Sequence, residues 1–204
     1  MVSLRWWNIV QERYREPVRY YHTLDHIADM LEGSKEFELS RPELVQLAIF
    51  FHDLIYDPTS STNEEDSACV FENFSVEAAL EPGDVSTVTS YIIATKSHSV
   101  SDSDDNDLQA FIDLDMAVLG GQRGGYMGYA EKIRSEYAHV PHSVYCEKRA
   151  KVLEDFLGVN SIYVTGRFKQ DLESTARANL SAEIHLLRRG LIPGHSTETE
   201  ICNS

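Results

Sequence analysis

The stretch 42-PELVQLAIFFHDLIY-56 constrains this chain more than any other. At helical spacing, Leu44, Val45, Leu47, Ala48, Ile49, Phe50, Phe51, Leu54 and Ile55 cover nearly every side of it. A helix apolar all round is a central, buried one. Pro42 suits a first turn, and Ser40 with Glu43 makes a capping-box pattern, so the helix is predicted over 42–56. Near its end sit His52 and Asp53. A buried carboxylate is costly unless it is paired, hydrogen-bonded or bound to a metal. Taken alone, the doublet reads most simply as a structural hydrogen-bonded pair.

Two further stretches set polar groups among apolar ones. In 21-YHTLDHI-27, His22 and His26 stand at i and i+4 and share one helix face. Together with the His–Asp doublet they offer imidazole nitrogen and carboxylate oxygen, a mix that suits a divalent transition metal or magnesium. His22 reads equally well as a helix-terminal cap or a support for the ligands. In 111-FIDLDMAVLGG-121, Asp113 and Asp115 point about 200° apart on a helix. One of them can face a given site; the other is exposed or caps a neighbour.

Most of the remaining chain also reads as helix: 3–15, 23–32 with Gly33 as a stop, 63–79, 84–97, 107–119, 126–138, 143–157 and 168–189. Pro58, Pro82, Pro141 and Pro193 punctuate these segments. No convincing set of alternating strands appears, so the fold class is all-α. The 204 residues suit one domain or two small ones; a single helical domain over 1–192 and a disordered tail over 193–204 are expected. The run 101-SDSDDND-107 reads as a solvated loop, and 120-GGQRGG-125 as a flexible connector. Residues 102–113 imitate a calcium loop only in part, since Asp107 stands where that loop needs Gly and Asp113 where it needs Glu. The glycine run lacks the Lys-Ser/Thr of a phosphate-binding loop.

A net charge of −15 argues against a nucleic-acid polymer or an anionic membrane as partner, while leaving room for a small anion held locally. Cys69, Cys146 and Cys202 are far apart and form no CxxC, which argues against a disulfide framework or zinc knuckle. No window reaches about 18 consecutive apolar residues and the N-terminus lacks a signal-peptide core, so a cytoplasmic protein is the default.

The order His26, His52–Asp53, Asp115, with the flanking text YYHTLDHI, AIFFHDLIYDP, NEEDSA, FIDLDMAVLG and YAEKIRSEY, resembles the HD-domain superfamily. It is most similar to the small stand-alone branch described as predicted metal-dependent HD phosphohydrolases, over roughly residues 6–187. The resemblance implies a compact all-α HD bundle with a buried site for a divalent metal ion (Mn, Co, Ni, Mg, Zn or Fe). It implies His26, His52, Asp53 and Asp115 as ligands, with His22 a further ligand or a support. His98 resembles an extra histidine that some members use near the metal or phosphate; otherwise it is a helix-end histidine on the dipole. Glu64 matches the family's NE-x-x-S-A text as a proton relay, or is a helix N-terminal acid.

The resemblance further implies hydrolysis of a small phosphate ester or nucleotide by a metal-activated water, with Asp53, Glu64 and His98 at the chemistry. Lys96, Arg134, Arg149 and Arg177 are the candidate phosphate contacts, each also readable as an ion pair, as Arg177 with Glu173. Trp6, Trp7, Tyr20 and Tyr21 read as core or pocket wall. A regulatory metal- or nucleotide-binding protein and a di-iron oxygenase are the competing classes, and a homodimer is left open.

Overall fold

The computed structural model describes residues 2–98 and 104–193. These form α1 (Val2–Arg13), α2 (Leu24–Ser34), α3 (Pro42–Phe51), α4 (Asn63–Ala78), α5 (Pro82–Ala94), α6 (Asn106–Asp115), a 3-10 turn (Ala117–Gly120), α7 (Arg123–Glu136), α8 (His142–Gly158), α9 (Gly166–Asp171) and α10 (Glu173–Leu187). The described residues contain no strand, and the fold is all-α. None of their helices is long and apolar enough to cross a membrane. The expected tail lies outside the described residues, apart from the buried Pro193. Cys202 also lies outside them, and Cys69 and Cys146 are free thiols.

The helices gather into two units. The first holds residues 1–116 with 164–166, and the second 117–163 with the residues from Arg167 on. In the first unit α3 is central and packs against α2, α4, α5 and α6. Leu44, Val45, Ala48, Ile49 and Phe51 are buried, as the all-round apolar pattern requires. The Leu, Val, Ile and Phe side chains among them each contribute about 1.5–3 kcal/mol on burial. Trp6, Phe51, Phe71 and Phe74 close one end with ring centroids 5.1 to 6.1 Å apart.

Several local expectations are corrected. α3 stops at Phe51, not at residue 56, so His52 and Asp53 lie in the turn that follows. His52 Nδ1 takes the Ile49 carbonyl, which a continued helix would offer to the Asp53 N–H, and Arg19 holds the turn beyond by donating to the Asp53 oxygen at 2.7 Å and the Leu54 oxygen at 2.9 Å. Carbonyls at a helix end have no partner within the helix, and a buried cation satisfies these two. Gly33 does not stop α2, which runs to Ser34; a Cβ at Gly33 would stand 2.7 Å from Leu114 Cδ2, so glycine is there for close approach to α6.

The Ser40 capping box does not form. Asp107, 4% exposed, instead accepts from the backbone N–H of Ser40 (2.8 Å) and Arg41 (2.6 Å), while Glu43 pairs with Arg41. The acidic run is therefore only partly a solvated loop. Asp105 caps α6 through the N–H of Asp107 and Leu108, and residues 99–103 lie outside the described set.

In the second unit α8 packs along α10, and α10 along the 3-10 turn. The expected helix over 168–189 is split at Leu172. Glu173 starts α10 and turns its carboxylate to the N–H groups of Ile162 and Tyr163, 3.0 and 3.2 Å away. The glycine run is not a free connector: Gly120 lies so close to Leu172 that a Cβ would meet it at 2.5 Å, and the Gly121 carbonyl accepts from Asn179 at 2.8 Å.

Asp107→Ala leaves two backbone donors of the α3 entry without their acceptor. Loss of a helix-start cap of this kind costs about 1–2 kcal/mol. A urea midpoint lowered to that extent is expected; an unchanged midpoint shows that solvent replaces the carboxylate.

Candidate metal centre

The turn after α3 carries His52 and Asp53, the first turn of α2 carries His26, and the last residue of α6 is Asp115. His98 follows α5 with a φ of 50°, a left-handed conformation that a histidine adopts at some cost. α3 and α6 thus point their C-terminal ends at the cluster, and helix C-termini favour positive charge.

His26, His52 and Asp115 each offer one ligand atom, and these atoms lie within 4.8 Å of one another, so the group could hold a metal ion. His26 Nε2 is 3.1 Å from Asp115 Oδ1, His98 Nε2 is 3.0 Å from Asp115 Oδ2, and His52 Nε2 is 3.6 Å from Oδ1. Asp53 lies outside that tight group of three but beside it, its Oδ2 3.1 Å from His52 Nε2. His22 precedes α2 instead of sharing its face with His26. Its Nε2 is 3.9 Å from Asp53 Oδ2, and its ring lies 4.4 Å from that of Tyr56. Exposure rises from 1% for the His52 side chain to 29% for His98, so the cluster opens on the His98 side.

One atom tests whether a cation fits. His52 Nδ1 lies 3.0 Å from the Ile49 carbonyl oxygen. A carbonyl only accepts, so Nδ1 holds a proton and Nε2 is the nitrogen turned toward the carboxylates, where it carries either a second proton or a metal ion. That Nε2 is buried and makes no hydrogen bond, although two carboxylates flank it. A lone pair facing anionic oxygens is repulsive until a proton or a metal ion stands between them. The donor set fits a divalent ion.

The titration behaviour has the same origin. Burial works against charge on His52, but Asp53 and Asp115 outweigh it and hold its pKa well above the usual value. Burial opposes the charge on Asp115 as well, and His26, His52 and His98 overcome it, keeping the carboxylate well below the usual range. Asp53 is likewise lowered, by His52 and His22 against the cost of burial.

The two aspartates of FIDLD separate as a helix requires. Asp113 is fully buried and accepts from Val164 N (2.8 Å), Thr165 N (2.7 Å) and Thr165 Oγ1 (2.6 Å). Its carboxylate fastens backbone, while Asp115 joins the histidines. Glu64 is half-buried in the first turn of α4. Tyr21 lies against His26, centroids 4.9 Å apart; Trp6 is core, whereas Trp7 and Tyr20 are partly exposed.

The candidate phosphate contacts all have protein partners. Lys96 pairs with Glu65 and donates to the Ser61 carbonyl at 2.8 Å. In the second unit, Arg134 donates to the Tyr137 and Val140 carbonyls, Arg149 pairs with the buried Glu183 at 2.9 Å, and Arg177 pairs with Glu173 at 2.7 Å.

Sequence reasoning missed the residues that hold the loop after the doublet. Asn63 takes both the N–H (3.0 Å) and the carbonyl (2.9 Å) of Asp57. Ser67, fully buried, does the same for Ile55 at 3.0 and 3.3 Å. The signal lay in NEEDSA, where positions 63 and 67 share a helix face. The chain matches no family model, no curated protein and no solved structure.

Chelator-treated protein is expected to be most stable between about pH 4 and 6.5, the unfolded-state values of Asp and His. Stability from the raised His52 is complete below about 6.5 and is lost as pH rises through its folded value. Stability from the lowered aspartates is complete above about 4 and is lost as pH falls. Adding a divalent ion is expected to move the optimum upward, because ligands bind metal only when deprotonated. Melting temperatures across pH 4–9, with and without metal, check this; chelated protein that gains stability from pH 6 to 9 contradicts it.

Proposed function

We propose that this protein is a metal-dependent phosphohydrolase of the HD type, acting on a small phosphate ester or nucleotide. The observation that carries the reading is the buried His52 Nε2, held without a hydrogen bond between Asp53 and Asp115. His26, His52, Asp53 and Asp115 would hold the ion, in line with the residue order HIA…HD…DLD in the sequence. Such an ion lowers the pKa of bound water and polarises a phosphoryl oxygen.

The chain's own groups supply the rest. The His52 ring is fixed in rotation by its bond to Ile49, so its free nitrogen is presented without further ordering. His98, the most exposed imidazole of the cluster, sits where a proton could pass between Asp115 and solvent. Glu64 is the second candidate relay, and Lys96 is the cation of the first unit that could exchange its partner Glu65 for a substrate oxygen. Asp53 stands between His22 and His52 and anchors both sides of the cluster.

A second reading is favoured by one feature: His22 and His98 bring the cluster to four imidazoles around two carboxylates, enough for two irons and dioxygen chemistry. Elemental analysis of protein purified without chelator, then a panel of phosphate esters and nucleotides with Mn, Co, Ni or Mg, separates the two. Turnover supports hydrolysis. Iron with an absorption change on exposure to oxygen, and no turnover of the panel, supports the oxygenase.

Asp53→Ala is expected to abolish both metal retention and turnover. A variant with full metal content and full turnover removes Asp53 from the site.

A further inference from the structure

Arg19 has the least exposed cationic side chain among those in ion pairs, at 0%, and its partners are mainly backbone. Its Nη1 donates to the His22 carbonyl (3.2 Å) and the Asp53 carbonyl (2.7 Å), and its Nη2 to the Leu54 carbonyl (2.9 Å). Its Nε reaches Glu16 Oε2 at 3.3 Å. The guanidinium carbon lies over two rings, 4.9 Å from the centroid of Tyr14 and 5.3 Å from that of Tyr56. Both rings bear on the same region: Tyr14 donates to the Phe50 carbonyl at the end of α3, and Tyr56 lies against His22.

We propose that Arg19 is the positioning residue of the metal site, its guanidinium joining the turn that carries His22 to the turn that carries His52 and Asp53. Burying a cation is costly, and one short-lived contact would not offset that cost. Here the planar fork spans carbonyls on two segments far apart in sequence, a geometry that a lysine ammonium cannot reproduce. By holding the carbonyls of residues 22 and 53, Arg19 fixes where their side chains start and so sets the His22–Asp53 separation. The inference rests on the reading of the cluster as a divalent-ion site.

Cobalt titration followed by visible absorption, with thermal melts in parallel, tests it on the full chain. Arg19→Lys keeps the charge but loses the fork. It is expected to fold, to bind cobalt at least about tenfold more weakly, the usual effect of removing a group that orients a ligand, and to show a changed ligand-field band. Glu16→Ala removes the acceptor on the Nε side of Arg19 without touching the core and is expected to weaken cobalt binding in the same direction. Arg19→Lys that melts lower yet binds cobalt with wild-type affinity and band shape overturns the proposal, because Arg19 is then a core strut only. If Arg19→Lys does not fold, unchanged cobalt binding by Glu16→Ala overturns it. Wild-type protein that binds no cobalt, manganese or zinc overturns the metal reading itself and this proposal with it.

Discussion

A single hydrogen bond, from His52 Nδ1 to the Ile49 carbonyl, decides the character of the cluster. It commits Nδ1 to the backbone and leaves the opposite nitrogen facing Asp53 and Asp115. The bond depends in turn on where α3 stops. Ile49 lies in its last turn, and His52, the helix-capping residue, reaches back one turn to its carbonyl.

Charge around that nitrogen is organised at two levels. Asp53 and Asp115 supply formal negative charge, and the C-terminal ends of α3 and α6 add partial charge of the same sign. Against them stand imidazoles, which carry charge only when protonated. Arg19, the nearby buried cation, spends its donors on carbonyls and Glu16, not on the Asp53 carboxylate.

The all-round apolar segment announced a central helix because its pattern is local and dense. The two polar intrusions were visible for the converse reason, since charge in such surroundings stands out. What the sequence could not display were partners distant along the chain. The turn after α3 depends on Arg19, the start of α3 on Asp107, and the Val164–Thr165 backbone on Asp113. Asp107 sits in a run of acids that looks solvated from its neighbours; its burial is decided by two N–H groups more than sixty residues away. Gly33 looked like a helix stop because glycine commonly is one, whereas here the reason for it is Leu114, on another helix. The same limit applies to the cations: a sequence shows that Arg149 is present, not that Glu183 occupies it.

The loop that leaves the doublet is held in an unusual way. Arg19 takes the oxygens of Asp53 and Leu54, Ser67 takes both polar groups of Ile55, and Asn63 takes both of Asp57. Three side chains thus do for this segment what a neighbouring strand does for a strand in a sheet. Such a loop is stiff without belonging to any regular element, and its stiffness is written at positions 19, 63 and 67 instead of in its own residues. Within the segment only Leu54, in the core, and Tyr56, between His22 and Arg19, are tied by their own side chains to what surrounds the site. Changes at the three outlying positions converge on one segment, and a defect at one of them is best offset by repair at another.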